Sequence, residues 1–130
     1  MKKYFYLLFI GLAFYVSGAY AHHSAYLYDV SKKVEVAGTI QTVLFANPHT
    51  KMTLVAKGAT GADEVWVIES SSPLMLKRRG WTFDKIKVGD KVTIIGAPFR
   101  NGEKGIYMTG IRLQDGTEYG RQDANLTGLD

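Results

Sequence analysis

A chain of 130 residues without cysteine, 46% of them hydrophobic, has the length of one globular domain. At this size a domain buries roughly 65% of its unfolded surface, so disulfide staples are neither present nor needed. The formal charge of +4 includes Lys2 and Lys3 at the very start and falls to +2 without them, which excludes any strong demand for a polyanionic partner.

Met1-Lys2-Lys3 is a basic opening, followed by an apolar and aromatic run over 4–16 and the small-residue ending Ser17-Gly18-Ala19-Tyr20-Ala21. This is the pattern of a secretory signal peptide. The run is shorter than the roughly 20 residues of a membrane-spanning helix. The expectation is cleavage after Ala21, a mature domain over 22–130 with no membrane span, and a periplasmic or secreted location.

Residues 25–28 are short and aromatic, suited to lying along a sheet or pairing at its edge. The first core strand is expected over 34–45, where Thr39, Ile40, Thr42, Val43 and Phe45 are branched or aromatic. Gly38 interrupts it, and a change of buried face is expected there. Asn47-Pro48 ends the strand, because proline has no N–H for a ladder. After the turn, Met52, Leu54 and Ala56 alternate with Lys51, Thr53 and Val55 in a second strand. A glycine-containing loop over 57–63 leads to a third strand over 64–69, with Val65 and Val67 on one face and Trp66 and Ile68 on the other.

A short helix is expected over 72–79. Ser72 suits the N-cap, Pro73 the first turn and Gly80 the position just past the end. Lys77, Arg78 and Arg79 fall in the last turn, favoured by the helix dipole; they are read as a solvated helix end. The fourth strand covers 91–95. Asn101-Gly102 marks a turn before the fifth strand over 106–113, with a bulge expected at Gly110. The tail after Tyr119 is polar and expected to fray. Strand, strand, strand, short helix, strand, strand, with a long bent first strand, describes an all-β, five-stranded OB-fold-like barrel. An SH3-like barrel or a lone sandwich is the alternative.

Ala21-His22-His23-Ser24, Asn47-Pro48-His49, Arg78-Arg79-Gly80-Trp81-Thr82 and Val88-Gly89-Asp90-Lys91-Val92 together resemble the motifs of an uncharacterised family of small exported bacterial proteins. The resemblance implies export and a small barrel, and no activity. Where that family commonly has an aromatic residue just after the Asn-Pro-His turn, Lys51 and Met52 stand here.

Cleavage after Ala21 would make His22 the N-terminal residue. Its amine and imidazole can chelate one metal, and a second imidazole completes a three-nitrogen set. In this one feature the chain resembles the histidine brace of certain copper proteins. Nitrogen ligands suit copper(II), which heads the divalent affinity order. His49 is the second ligand by position and His23 an auxiliary, since neighbours in an extended segment point to opposite sides. Asn47, Met52 and Glu69 are the remaining ligand-binding candidates, with Met52, Met75 or Met108 as thioether donors for copper(I). Glu69 is also suited to helix capping or a salt bridge.

Trp66, Trp81, Phe83 and Phe99 are read as core rather than a stacking surface. With export and the low mature charge, that sets nucleic acid aside as a partner. Ser70, Ser71 and Ser72 have no evident base beside them. The first reading is thus a periplasmic copper-binding protein, a carrier or sensor. The second is a metal-free periplasmic module recognising a small ligand or an envelope protein. An enzyme is a distant third, because so small a barrel leaves little room for a substrate cleft.

Overall fold

The computed structural model describes residues 26–120. Period-two alternation draws about half of the described residues into strands, and the barrel they close follows from where each strand changes partner. The strands are β1 (Val34–Leu44), β2 (Thr50–Lys57), β3 (Asp63–Ser70), β4 (Lys91–Pro98), β5 (Gly105–Leu113) and β6 (Glu118–Gly120). They pair in the order β3-β2-β1-β4-β5-β6, and a parallel pairing of β3 with β5 closes the first five into a barrel. A single helix, α1 (Pro73–Arg78), stands between β3 and β4, followed by a 3-10 turn over Phe83–Lys85. This is the OB-fold topology expected from the sequence.

β1 serves both β4 and β2, and it manages this with a bulge. Val34 to Thr39 pair with β4, while Thr39 to Leu44 pair with β2. Ile40 opposes Leu54 and Thr42 opposes Thr53, which leaves Gln41 as the extra residue. An extra residue swaps the buried face. Val34, Val36 and Ile40 turn inward before it, Val43 and Phe45 after it. The sequence points to Gly38 for this change, and the bulge instead falls three residues later. Gly38 serves another purpose. A Cβ there would collide with the Val55 carbonyl, so glycine permits the close crossing of β2. In β5 the bulge does fall beside the expected glycine, since Ile95 opposes Gly110 and Gly96 opposes Met108, with Thr109 looped out.

Met52, Leu54, Ile68, Ile94, Ile106 and Ile111 fill the barrel, each at most 3% exposed. Each such side chain contributes about 1.5–3 kcal/mol through burial. Leu76 from α1 and Trp81 just beyond it join the same cluster. The Ser72 hydroxyl accepts from Met75 N at the helix start, and Gly80 takes a positive φ of 86° just past its end. The caps are thus as the sequence dictates.

One strand goes beyond the expectation, and one expected edge pairing is present. β6, which the sequence does not announce, pairs with β5, and the Tyr119 ring packs on Trp81 with centroids 5.8 Å apart; the tail expected to fray lies outside the described residues from 121 on. Before β1, Tyr28 bridges Phe99, with Asp29 N donating to the Pro98 carbonyl and Arg100 N to the Leu27 carbonyl. This strap covers the outer side of the barrel, where Tyr28, Ala97 and Tyr107 form a second small core. Among the described residues no helix is long and apolar enough to cross a membrane.

Candidate functional site

His49 follows the cis Asn47-Pro48 bond and stands one residue before β2. Its neighbour Thr50 is set opposite Ser70, the last residue of β3, so the turn lies against the β3 end. His49 Nδ1 is 3.3 Å from the Ser70 carbonyl oxygen. A carbonyl only accepts, so the hydrogen bond requires the proton on Nδ1, and in the neutral ring it is then Nε2 that carries the lone pair. His49 itself is half-buried, while Asn47 and Pro48 are exposed.

Ser70 is fixed in turn, its hydroxyl donating 2.9 Å to the Met108 carbonyl. The Thr50 hydroxyl is buried and has no partner among the described residues. The Ser71 hydroxyl lies 3.1 Å from the Tyr107 hydroxyl and accepts from Arg79 Nη1 at 3.2 Å. Glu69 accepts a 2.7 Å hydrogen bond from Tyr28 and stands 3.7 Å from Lys51 Nζ. Burial, and then the bond to Glu69, push the Tyr28 phenol well above its ordinary range, so it stays a donor. A short run of β3 and its end, Glu69 to Ser71, therefore holds both the histidine turn and the strap.

Of the residues singled out in the sequence, His49, Asn47 and Glu69 share this end of the barrel. Met52 does not belong with them. It is 3% exposed inside the core, as is Met108 at 1%, so the inward face of β2 removes that thioether from any surface site. Glu69 takes the salt-bridge role rather than the capping one, which falls to Ser72. His22 and His23 lie outside the described residues. Among the described residues no group of three or more His, Cys, Asp or Glu could hold a metal ion. The roles of Tyr28, Ser70 and Tyr107 carry no local sequence signal, because their partners lie 21 to 41 residues away.

A family model described as a family of unknown function, DUF6152, matches residues 11–108. No curated protein matches the chain. Solved structures similar to it include the mitochondrial single-stranded DNA-binding protein Rim1 of S. cerevisiae. That likeness has 12% identity over 64% of this chain and 93% of the other, at a TM-score of 0.49. The N-terminal domain of PriB from Thermoanaerobacter tencongensis matches at 16% identity, over 64% and 96% of the two chains, with a TM-score of 0.47. A small single-stranded DNA-binding protein from Streptomyces coelicolor matches at 14% identity, over 64% and 91%, with a TM-score of 0.40. Such distant likenesses speak to fold alone. Two of the three are nonetheless single-stranded DNA-binding proteins, and the expectation that set nucleic acid aside does not stand against them.

Proposed function

The chain belongs to the family of unknown function DUF6152, and we propose that it is an exported copper-binding protein, a carrier or sensor, whose ligands are the amine and imidazole of His22 and the Nε2 of His49. The observation that carries this reading is the hydrogen bond from His49 Nδ1 to the Ser70 carbonyl. Metal-binding histidines ordinarily donate their second ring nitrogen to a carbonyl or carboxylate, which fixes the ring and its tautomer. Here that arrangement leaves Nε2 as the donor atom.

The strap supports the other half. Tyr28 is tied to Glu69, the residue just before Ser70 on β3. Tyr28 is six positions from His22, and six extended steps span at most about 20 Å. That reach is enough to return the N-terminus to the β3 end. Copper bound there would complete a nitrogen set to which the described residues contribute only His49, so the site depends on leader removal. Asn47, in the same turn, is the polar neighbour of this ligand set.

A competition titration of copper(II) against a chelator tests the reading. It uses exported, processed protein as wild type, His49→Ala, and a form with one residue added before His22. Each change is expected to weaken binding at least about tenfold, the scale on which even supporting groups of metal sites act. Equal affinities for all three would overturn the brace and leave a metal-free binding module.

A further inference from the structure

The cations of the described chain divide by place. Six lie between residues 77 and 91, along the connection from α1 to β4: Lys77, Arg78, Arg79, Lys85, Lys87 and Lys91, against the carboxylates Asp84 and Asp90. All six cations are exposed, and none lies within ion-pair distance of a described carboxylate. Arg79 is held by a neutral partner, the Ser71 hydroxyl. Asp115 is kept below the ordinary carboxylate range chiefly by bonds from Thr117, with Lys85 a lesser, more distant contributor. Elsewhere the pattern reverses. Lys51 pairs with Glu69, Lys57 with Asp63, Lys104 with Glu64, and Arg112 with both Glu35 and Glu118.

The positive charge of the mature chain is thus concentrated in one connection. That connection carries a formal +4, residues 22–130 carry +2 in all, and the remainder is net acidic. A solvated helix end accounts for Lys77 and Arg78 but not for Lys85, Lys87 and Lys91 beyond it. The same stretch, from the helix onward, holds two large exposed apolar side chains, Leu74 at 57% and Val88 at 61%. Either alone would be ordinary. Both stand within four residues of unpaired cations, Leu74 by Lys77 and Arg78, Val88 by Lys85, Lys87 and Lys91.

We infer that α1 and its connection to β4 form a docking surface for an anionic lipid bilayer. Lysines and arginines meet headgroup phosphates, while Leu74 and Val88 enter the boundary with the acyl chains. The balance is positive, since six cations on this connection face the carboxylates of Asp84 and Asp90 on it and of Asp115 beside Lys85 and Lys91. A single-stranded nucleic acid would want exposed aromatics to stack on. The aromatics of this connection are committed elsewhere. Trp81 is buried at 3% exposure, and Phe83 packs on Phe45 with centroids 4.4 Å apart.

Co-sedimentation with phosphatidylglycerol vesicles and with phosphatidylcholine vesicles tests this on exported, processed protein. Binding to the anionic vesicles alone is expected, and it should weaken as salt rises. Each cation near an anionic surface accounts for about a fivefold gain in binding, so Lys85→Gln with Lys87→Gln should lose about 25-fold. Leu74→Ser with Val88→Ser keeps every charge and should lose about tenfold. All four side chains are exposed, so the melting temperature should hold and serves as the folding control. Equal binding to both vesicle types, or no effect of the Leu74 and Val88 changes, would overturn the inference. So would tight binding of a single-stranded oligonucleotide through the same lysines by a protein that ignores vesicles. None of these readouts depends on copper.

Discussion

The Tyr28 hydroxyl donates 2.7 Å to Glu69 Oε2 across 41 residues of chain, and this bond fastens the strap to the strand that also anchors His49. Tyr28 is 1% exposed and its ring lies 5.1 Å from Phe99 and 5.3 Å from Tyr107. Tyr28→Phe keeps the ring contacts and loses only the hydrogen bond. Bonds to charged groups contribute about 1.5–3 kcal/mol. Glu69 retains Lys51, which puts the expected loss at the low end, about 1.5 kcal/mol in urea unfolding. Tyr28→Ala removes the ring as well and should cost about 3–5 kcal/mol.

Asp29 gives the strap a pH dependence. Its carboxylate accepts from Ser31 and pairs with Lys32 at 3.1 Å, with Arg100 at 3.9 Å. The Ser31 bond first, then Lys32, lower its pKa from 3.8 to about 2. A folded value below the unfolded one means stability that is present above about pH 4 and lost as pH falls toward 2. Asp29→Asn should flatten this part of the acid profile, read as hydrogen exchange of the Asp29 and Arg100 amides between about pH 2 and 4. An unchanged profile would show that the ion pairs are screened by solvent and carry none of it.

Thr50 points the other way. Its hydroxyl is buried without a partner among the described residues, and a buried hydroxyl left unpaired costs about 1–3 kcal/mol. Thr50→Val keeps the shape and removes the cost, so the variant should be as stable as wild type or more so, by up to about 1 kcal/mol in urea unfolding. A clear loss would mean that the hydroxyl has a bond to water.

The sequence reveals most of the barrel because local chemistry marks it. Alternation sets the inner faces of β2 and β3, and Ser72, Pro73 and Gly80 bracket α1 on their own. Partner changes are marked far less clearly. Gln41 bulges because β1 must leave β4 for β2, a demand of barrel closure that nothing at residue 41 announces. β6 escapes notice because three residues are too few for a pattern, and its stability comes from Trp81 and Thr82, 37 residues and more away. In the candidate site the histidine of the turn is visible in sequence, and its tautomer is not, since that depends on the Ser70 carbonyl. Met52 misleads because its sulfur suggests a ligand, while its period-two place in β2 points it into the core.

The tautomer of His49 leads to the last prediction, the pH dependence of copper binding. In the proposed site three nitrogens must be free of protons to ligate: the α-amine, the His22 imidazole and Nε2 of His49. An ordinary α-amine holds its proton up to about pH 7.7–8.0 and an ordinary imidazole up to about 6.5. Copper must displace protons to bind, so its apparent affinity falls as pH drops through the range of the amine and the N-terminal imidazole. Adding one residue before His22 takes the α-amine out of the chelate, and the affinity of that form should lose its pH dependence between about 6.5 and 8 while keeping the imidazole part below. His49→Ala leaves the α-amine in the chelate, so it should retain the dependence near about 8 while binding more weakly throughout. The measurement is a competition titration at roughly half-unit steps from about pH 5 to 8.5 on all three proteins, a range that brackets both kinds of group. Superimposable pH profiles would show that neither His22 nor His49 is a ligand.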